Sequence, residues 1–177
     1  ELIALGQELG SLLEKNDVLI LTGELGAGKT TLTKGLAKGL GIHQMIKSPT
    51  YTIVREYEGR LPLYHLDVYR IGDDPDSIDL DDFLFGEGVT VIEWGELLET
   101  SLPAGYLKVE LLKDGDGREI CLSAVGERAE QLKDSFLTSV GATILSLLAS
   151  SCDLAVFVIF GNQGFPFAFF CFLKHHS

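Results

Sequence analysis

Residues 23–30 read GELGAGKT, a complete G-x-x-x-x-G-K-[ST] phosphate-binding loop, and this stretch decides the fold. Residues 17–22, DVLILT, precede it as a short apolar run typical of a buried parallel strand. Residues 31–40 follow, with leucines four apart that predict one buried helical face. Strand, glycine loop and helix is the context in which this motif binds phosphate. The sequence therefore predicts a domain that binds a nucleoside triphosphate.

The residue types of the loop suit this chemistry. Gly26 and Gly28 lack a Cβ, so the backbone can curl around a phosphate and aim its N–H groups inward. The helix that begins near Lys29 adds its positive dipole end at the same point. We expect Lys29 to reach the β- and γ-phosphates, Thr30 to ligate Mg²⁺, and Thr31 to donate to the α-phosphate region. The alternative is a glycine-rich turn with Lys29 as an ordinary surface cation. The predicted cofactor-binding set is Gly26, Ala27, Gly28, Lys29, Thr30 and Thr31.

Length and charge narrow the function classes. A chain of 177 residues suits one domain that can bury a core. Its net charge of −12 argues against a protein that binds nucleic acid without partners, because such proteins usually present a basic face. Residues 71–100 hold ten acidic side chains and no Lys or Arg. They form either a solvated acidic surface or a docking surface for a basic partner, and only docking predicts salt-sensitive complex formation.

Cysteine usage and the N-terminal sequence indicate a cytoplasmic protein. The three cysteines have no C-x-x-C spacing, so they indicate neither a disulfide framework nor a zinc site. The N-terminal residues do not resemble a signal peptide. Because position 1 is Glu and not Met, we expect native residues ahead of it.

The patterns downstream and upstream of the loop predict the other elements. Strands are expected over residues 51–57 and 61–69 as one hairpin, over 89–92 in the core, and over 106–112 and 118–124 as a second hairpin. Helices are expected over residues 2–15, 77–85 and 127–137. Together they predict an α/β, P-loop NTPase-like three-layer domain over residues 1–138, with a mixed, partly antiparallel sheet and two hairpins.

Residues 139–177 do not follow this pattern. Between Val140 and Leu173 the only charged residue is Asp153. Residues 144–160 are nearly long enough to span a bilayer, but the polar residues among them weaken that interpretation. We predict an atypical hydrophobic tail that is either a native anchor or a non-native or disordered extension. No membrane association is expected unless the tail is a native anchor.

A phosphate loop hydrolyses ATP only with a carboxylate near Mg²⁺ and a group that positions water. Asp67 follows a strand pattern whose alternation places it on one face with His65 and Tyr69. Glu93 ends the apolar run at residues 89–92, the position that a Walker-B acid normally takes. Spacing alone leaves two alternatives open: Asp67 as an edge-strand carboxylate paired to a cation, and Glu93 as a solvated strand-end acid.

Four motifs in this order resemble the bacterial TsaE (YjeE) family, the ATPase component of tRNA threonylcarbamoyladenosine (t⁶A37) biosynthesis. They are the phosphate loop at 23–31, KSPTY at 47–51, YHLDVYR at 64–70 and VIEW at 91–94. Many NTPases share the loop, whereas S-P-T-Y, then H-x-D-x-Y-R, then E-W is specific to the family. The resemblance covers roughly residues 1–135.

The resemblance implies roles for individual residues. Asp67 corresponds to an acid that binds Mg²⁺ or orients water, and Glu93 to a second carboxylate of the magnesium site, which Thr30 completes. Thr50 lies in a switch-like loop expected to sense the γ-phosphate, which gives Asp67, Glu93 and Thr50 as the catalytic candidates. Trp94 is expected in the core, with a partner surface as the alternative. Family members also contact the nucleotide through a segment ahead of the first helix.

The resemblance further implies ATP and Mg²⁺ as cofactors and a TsaB–TsaD-like complex as partner. ATP turnover, weak without partner proteins, would support repeated cycles of that complex. The tRNA would be reached only indirectly, which is consistent with the acidic charge.

Other function classes also use a phosphate loop. A small-molecule P-loop kinase usually needs several arginines around the transferred phosphoryl group, and the five arginines here form no cluster in the sequence. A regulatory GTPase would carry an N-K-x-D motif, which the sequence lacks. A nucleotide-dependent scaffold protein with incidental hydrolysis stays open.

Overall fold

A computed structural model describes residues 2–71, 79–114, 117–140 and 154–159. The strands are β1 (Val18–Thr22), β2 (Val54–Tyr57), β3 (Leu63–Asp67), β4 (Val89–Glu93), β5 (Tyr106–Asp114), β6 (Gly117–Val125) and β7 (Leu154–Ile159). The helices are α1 (Leu2–Leu12), α2 (Lys29–Gly39), α3 (Asp81–Leu84) and α4 (Glu127–Ser139), with 3₁₀ segments over Tyr69–Ile71 and Gly95–Ser101.

The strands form one seven-stranded sheet in the order β2-β3-β4-β1-β5-β6-β7. Its centre is parallel, because β1 pairs in parallel with β4 and β5, and β3 with β4. Two antiparallel hairpins flank this centre, β2–β3 on one side and β5–β6 on the other. All five residues of β1 are buried, which explains its continuous apolar sequence. The predicted mixed sheet with two hairpins is confirmed.

Alternate residues of the central strands face two different apolar layers. Leu19 and Leu21 belong to the core under α1, α2 and α4. Val18 and Ile20 belong to a second core, which includes Leu84 of α3 and residues of both 3₁₀ segments. The sheet therefore lies between two layers, as a three-layer α/β domain requires.

Helices α1 and α2 approach each other through glycines. A Cβ on Gly6 would lie 2.5 Å from the carbonyl oxygen of Leu32, and a Cβ on Gly35 would lie 2.3 Å from that of Ile3. No side chain larger than hydrogen fits at either position without moving a backbone. This contact fixes α2 against α1 and so positions the first turn of α2, which carries the phosphate-loop lysine.

Element ends differ from the sequence-based prediction where the backbone turns. The strand predicted over residues 51–57 begins only at Val54, because Ile53 has a positive φ of 67° and donates its N–H to Pro49. The strand predicted over 61–69 ends at Asp67. The prediction that Tyr69 continues the strand face of Asp67 is therefore wrong. Of the helix predicted over 77–85, only α3 is seen, and residues 72–78 lie outside the described part.

Most of the predicted tail at residues 139–177 also lies outside the described residues. Apart from Ser139 and Val140 at the end of α4, the described part is strand β7, which pairs antiparallel with β6 from Arg118↔Ile159 to Ser123↔Leu154. The division of the chain at residue 138 stays a prediction. Among the described residues, no helix combines the length and the apolar character needed to cross a bilayer, and residues 144–153 and 160 of the candidate span are not among them.

Candidate active site

The loop between β1 and α2 depends on glycine for its path. Gly23, Gly26 and Gly28 have φ values of 142°, 76° and 113°, a region that favours glycine over residues with a Cβ. Gly28 caps α2, so the helix N-terminus begins where the loop ends. Ala27 is completely buried in the core, and its backbone N–H donates to the carbonyl oxygen of Glu24 at 3.0 Å.

Lys29 is a buried cation inside this loop. Its side chain is 5% exposed, and Nζ donates to the carbonyls of Gly23 at 2.6 Å and Glu24 at 3.1 Å. Nζ also lies 4.1 Å from the ring centroid of Trp94. Burial lowers the pKa of Lys29, and the nearby carboxylates, Glu93 first, oppose that shift without cancelling it. An ordinary surface cation does not fit this environment.

Asp67 and Glu93 lie side by side at the ends of neighbouring strands. They are register partners across the parallel pair β3–β4, and each is 3% exposed. Register partners in a sheet share a face, so two carboxylates meet on the face that α2 covers. Two adjacent carboxylates with so little solvent around them repel each other unless a cation lies beside them. This arrangement favours a bound cation in addition to Lys29.

The Glu93 carboxylate contacts both neighbouring elements. Thr30, in the first turn of α2, donates its hydroxyl to Oε1 at 3.3 Å. His65 of β3 places Nε2 at 2.8 Å from the same oxygen. The alternative of a solvated strand-end acid is therefore wrong for Glu93.

Asp67 links the loop that contains the S-P-T motif, residues 48–50, to the sheet. The Thr50 hydroxyl donates to Oδ2 at 3.0 Å, and the Tyr69 N–H donates to Oδ1 at 3.0 Å. Ser48 and Thr50 share a further hydroxyl–hydroxyl bond of 2.6 Å. Since β3 lies between β2 and β4, the alternative of an edge-strand carboxylate is wrong.

One cavity of about 220 Å³ unites the predicted site residues. It lies at the carboxyl ends of the parallel strands, where α/β sheets bind ligands. A larger cavity of about 410 Å³ opens beside Val18 and Tyr106, at the other end of β1 and β5, away from the phosphate loop. Every predicted site residue except Ala27 lines the first cavity, together with Leu25, Ser48 and Trp94.

Trp94 is a wall of the site. It adopts a positive φ of 62°, it is half-buried, and its ring lies 5.0 Å from that of Tyr69 as well as beside Lys29. The expectation that Trp94 belongs to the core needs correction, since only part of it packs against the apolar layer. The turn that follows β4 rotates the ring toward the cavity.

Two residues of the second hairpin contact the phosphate loop and were not predicted from the sequence. Arg118 of β6 donates Nε to Ala27 O at 2.9 Å. Lys113 of β5 donates Nζ to Leu25 O at 3.1 Å. Both come from the second hairpin, and no motif links them to the loop. The sequence did contain a signal for His65, because it stands two residues before Asp67 on a strand.

The oxygen atoms at the site fit Mg²⁺. A threonine hydroxyl and two carboxylates are hard oxygen donors, which this ion prefers. The described residues contain no group of three His, Cys, Asp or Glu side chains that could hold a metal alone. Magnesium is usually bound by one or two carboxylates together with substrate phosphates. Thr30, Asp67 and Glu93 beside a phosphate loop are such a set.

The chain is similar to proteins of one characterised family. The family model described as threonylcarbamoyl adenosine biosynthesis protein TsaE matches residues 1–120. The tRNA threonylcarbamoyladenosine biosynthesis protein TsaE of Bacillus subtilis is 47% identical over 131 residues, 73% of this chain and 83% of that protein. Its counterpart in Treponema pallidum is 46% identical over 121 residues, 67% of this chain and 90% of that protein.

A solved structure agrees with the fold. The crystal structure of Bacillus subtilis YdiB matches with a TM-score of 0.69 and 42% identity, over 77% of this chain and 87% of that one. The predicted P-loop NTPase-like α/β fold is confirmed by this likeness together with the sheet topology.

Proposed function

Because the chain belongs to the TsaE family, we propose that it is an ATPase that binds and hydrolyses Mg-ATP in t⁶A37 biosynthesis. Its turnover supports a TsaB–TsaD-like complex that modifies tRNA, and the chain reaches tRNA only through those partners. The observation that carries this proposal is the single cavity shared by the phosphate loop, Thr50, Asp67 and Glu93.

The phosphate side of the proposal depends on Lys29 and the loop. Nζ of Lys29 is already desolvated and bound to two loop carbonyls, so a phosphate oxygen would replace weak acceptors with charged ones. The N-terminus of α2 points its dipole to the same place. These groups bind and orient the triphosphate without rearranging the sheet.

The magnesium side depends on three oxygen donors. Thr30, Glu93 and Asp67 would hold Mg²⁺ with the phosphates, and the ion would supply charge neutralisation at the phosphoryl group. Their packing in the sheet fixes the two carboxylates before nucleotide arrives. The Thr50 hydroxyl donates to Asp67, so the loop that carries it is coupled to the acid proposed to orient water.

The positions of the arginines support ATP hydrolysis and not phosphoryl transfer to a small acceptor molecule. No arginine of the described residues lines the cavity. Arg128 pairs with Asp17, which lines the larger cavity at the opposite end of the sheet. Arg60 donates to the carbonyls of Gly10 and Leu13. A small-molecule kinase needs such cations around the transferred group. The kinase alternative therefore has little support in the geometry.

The mouth of the site supports a protein partner. Leu25 and Tyr51 are 85% and 83% exposed, and Tyr69 is 59% exposed. Large apolar side chains gathered beside a polar site mark interaction surfaces. A partner seated there would close an otherwise open nucleotide site, which fits an ATPase whose turnover depends on the complex.

The deciding experiment is ATP hydrolysis by the purified chain with and without the TsaB–TsaD pair. We expect stimulation by the pair, loss of MgATP binding in Lys29→Ala, and slower hydrolysis or altered Mg²⁺ dependence in Asp67→Ala and Glu93→Ala. Lys34→Ala, an exposed lysine of α2, is the matched control and should behave as wild type. Tight Mg²⁺-dependent ATP binding by Lys29→Ala, or unchanged stimulated turnover in both carboxylate variants, would contradict the proposal.

A further inference from the structure

His65 is a buried polar residue to which the proposed function gives no role. Its side chain is 0% exposed, in the interior of β3. Its register partner is Val91, so Glu93 lies two residues further along β4 on the same face of the sheet. The imidazole Nε2 lies 2.8 Å from Glu93 Oε1. A polar side chain that is fully buried requires a reason beyond packing.

The hydrogen bonds assign the tautomer of His65. Nδ1 is buried and has no hydrogen-bond partner among the described residues. A proton on Nδ1 would thus be a buried donor without an acceptor, which costs more than an unused lone pair. The proton belongs on Nε2, where it is donated to Glu93.

The contacts of Glu93 are divided unequally between its two oxygens. Among the described residues, the hydrogen bonds from His65 and Thr30 both go to Oε1. Held from two sides, the carboxylate has one orientation, and Oε2 remains for a cation. A carboxylate with one of these donors removed could rotate, and ordering it would then oppose ion binding.

We infer that His65 is the positioning residue of the magnesium site: its Nε2–H holds the Glu93 carboxylate in the orientation that binds Mg²⁺. This inference rests on the proposed function, since it concerns the ion that accompanies ATP. Outer hydrogen-bond partners of metal ligands typically contribute 10- to 100-fold in metal affinity. The phosphate-binding residues lie on α2 and its loop, so nucleotide binding without Mg²⁺ does not depend on His65.

Two substitutions separate the hydrogen bond from the volume of the ring. His65→Gln places an amide nitrogen the same number of bonds from Cα as Nε2, so it retains a donor toward Glu93. His65→Leu fills a similar volume and removes the donor. His65→Asn, whose amide nitrogen reaches only the Nδ1 position, is the second variant without a donor at Glu93 and serves if His65→Leu does not fold.

Nucleotide binding is measured at increasing Mg²⁺ concentration through the fluorescence of Trp94. This residue is the single tryptophan of the chain, and it lines the cavity. We expect His65→Leu and His65→Asn to need about 10- to 100-fold more Mg²⁺ for half-maximal effect. His65→Gln should stay within a few-fold of wild type, and ATP affinity in EDTA should be equal in all of them.

Two controls account for damage to the core. Leu63→Ala removes a buried side chain two residues earlier on the same face of β3, so it should lower thermal stability without changing the Mg²⁺ requirement. His43→Leu changes an exposed histidine and should alter neither quantity.

The outcomes distinguish the two proposals. A wild-type chain whose ATP binding ignores Mg²⁺ overturns the proposed function and the role of His65 with it. Normal Mg²⁺ dependence in wild type together with an unchanged requirement in both donor-free variants overturns the role of His65 alone. An equally raised Mg²⁺ requirement in His65→Gln and His65→Leu also overturns the role of His65, because the effect would then come from the ring and not from the hydrogen bond.

Discussion

At the scale of single residues, the site contains one buried lysine close to two buried carboxylates. Lys29, Asp67 and Glu93 are all 5% exposed or less. Each would be costly to bury alone, and together they partly compensate. The balance is incomplete, since burial still lowers the pKa of Lys29 despite its acidic neighbours. This incomplete balance fits the proposed binding of a phosphate ligand together with a cation.

The lowered pKa of Lys29 predicts a pH dependence of stability. The folded chain holds this proton less tightly than the unfolded chain, in which the lysine has its ordinary pKa of 10.5. Between the folded-state pKa and 10.5 the unfolded state binds more protons, so the contribution of Lys29 to the unfolding free energy rises with pH. The desolvation cost applies fully below the folded-state pKa and disappears above 10.5.

Urea unfolding of wild type and Lys29→Met between pH 7 and pH 10 measures this effect. We expect the unfolding free energy of wild type, relative to the variant, to increase as the pH approaches 10. Lys34→Met provides the reference for an exposed lysine of the same helix. A difference that is constant with pH would show that burial does not perturb Lys29.

At the scale of elements, a glycine contact with α1 holds α2, and the second hairpin holds the loop before α2. Gly35 allows the backbone of α1 to approach from one side, where a Cβ would lie 2.3 Å from Ile3 O. Arg118 of β6 reaches the phosphate loop from the other side. Because α2 carries Lys29 and Thr30 in its first turn, these contacts position the ligand-binding groups.

Gly35→Ala should destabilise the fold although alanine favours helices. The added methyl meets backbone atoms, which cannot rotate away, so the helices must separate at a cost of roughly 1–3 kcal/mol. Chemical unfolding measures the loss, and ATP affinity should fall with it. Gly105→Ala is the matched control, because a Cβ there meets its nearest atom, Val125 O, at an ordinary 3.4 Å. Equal stability of the two variants would refute the tight contact.

Arg118→Met should loosen the phosphate loop. It removes the donor to Ala27 O, and Ala27 is completely buried, so the carbonyl would lose its partner at a cost of roughly 1–3 kcal/mol. We expect weaker ATP binding in a fluorescence titration. Lys113→Met should have a smaller effect, since the lysine side chain is 41% exposed and water can replace it at Leu25 O. The reverse order would contradict the role of Arg118.

At the scale of the whole molecule, folding itself assembles the site. Thr30 and Glu93 are 63 residues apart, and Ala27 and Arg118 are 91 apart, yet each pair is hydrogen-bonded. The unfolded chain therefore has no site, and a ligand that binds only the folded state must stabilise it. The cavity draws on α2, β3, β4 and the loop before β2, so the stabilisation should involve the whole domain.

MgATP at 100 times its Kd should raise the melting temperature by about 5–10 °C, because such saturation contributes about 2.7 kcal/mol. Differential scanning fluorimetry of wild type and Lys29→Ala checks this, with no shift expected in the variant. An equal shift in both would place the binding outside the phosphate loop.

Much of the fold follows from local sequence patterns. The apolar run before residues 23–30, the leucine spacing after them and the two hairpin patterns predict elements that the structure contains, because these signals depend on neighbours within a few residues. Element ends were less predictable. Ile53 and Trp94 adopt positive φ values that nothing in their residue types indicates, so the start of β2 and the direction of the Trp94 ring could not be foreseen.

The sequence by itself determined the phosphate loop, the order of helices and strands, and the acids at two strand ends, since each depends on short-range spacing. Only the tertiary structure decided that Asp67 and Glu93 are register partners, that His65 and Thr30 share Glu93 Oε1, and that Arg118 supports the loop. Strand order and register arise from packing across the whole sheet, and no local pattern encodes them. The glycine loop thus predicts a phosphate site, and the sheet decides which side chains lie beside that loop.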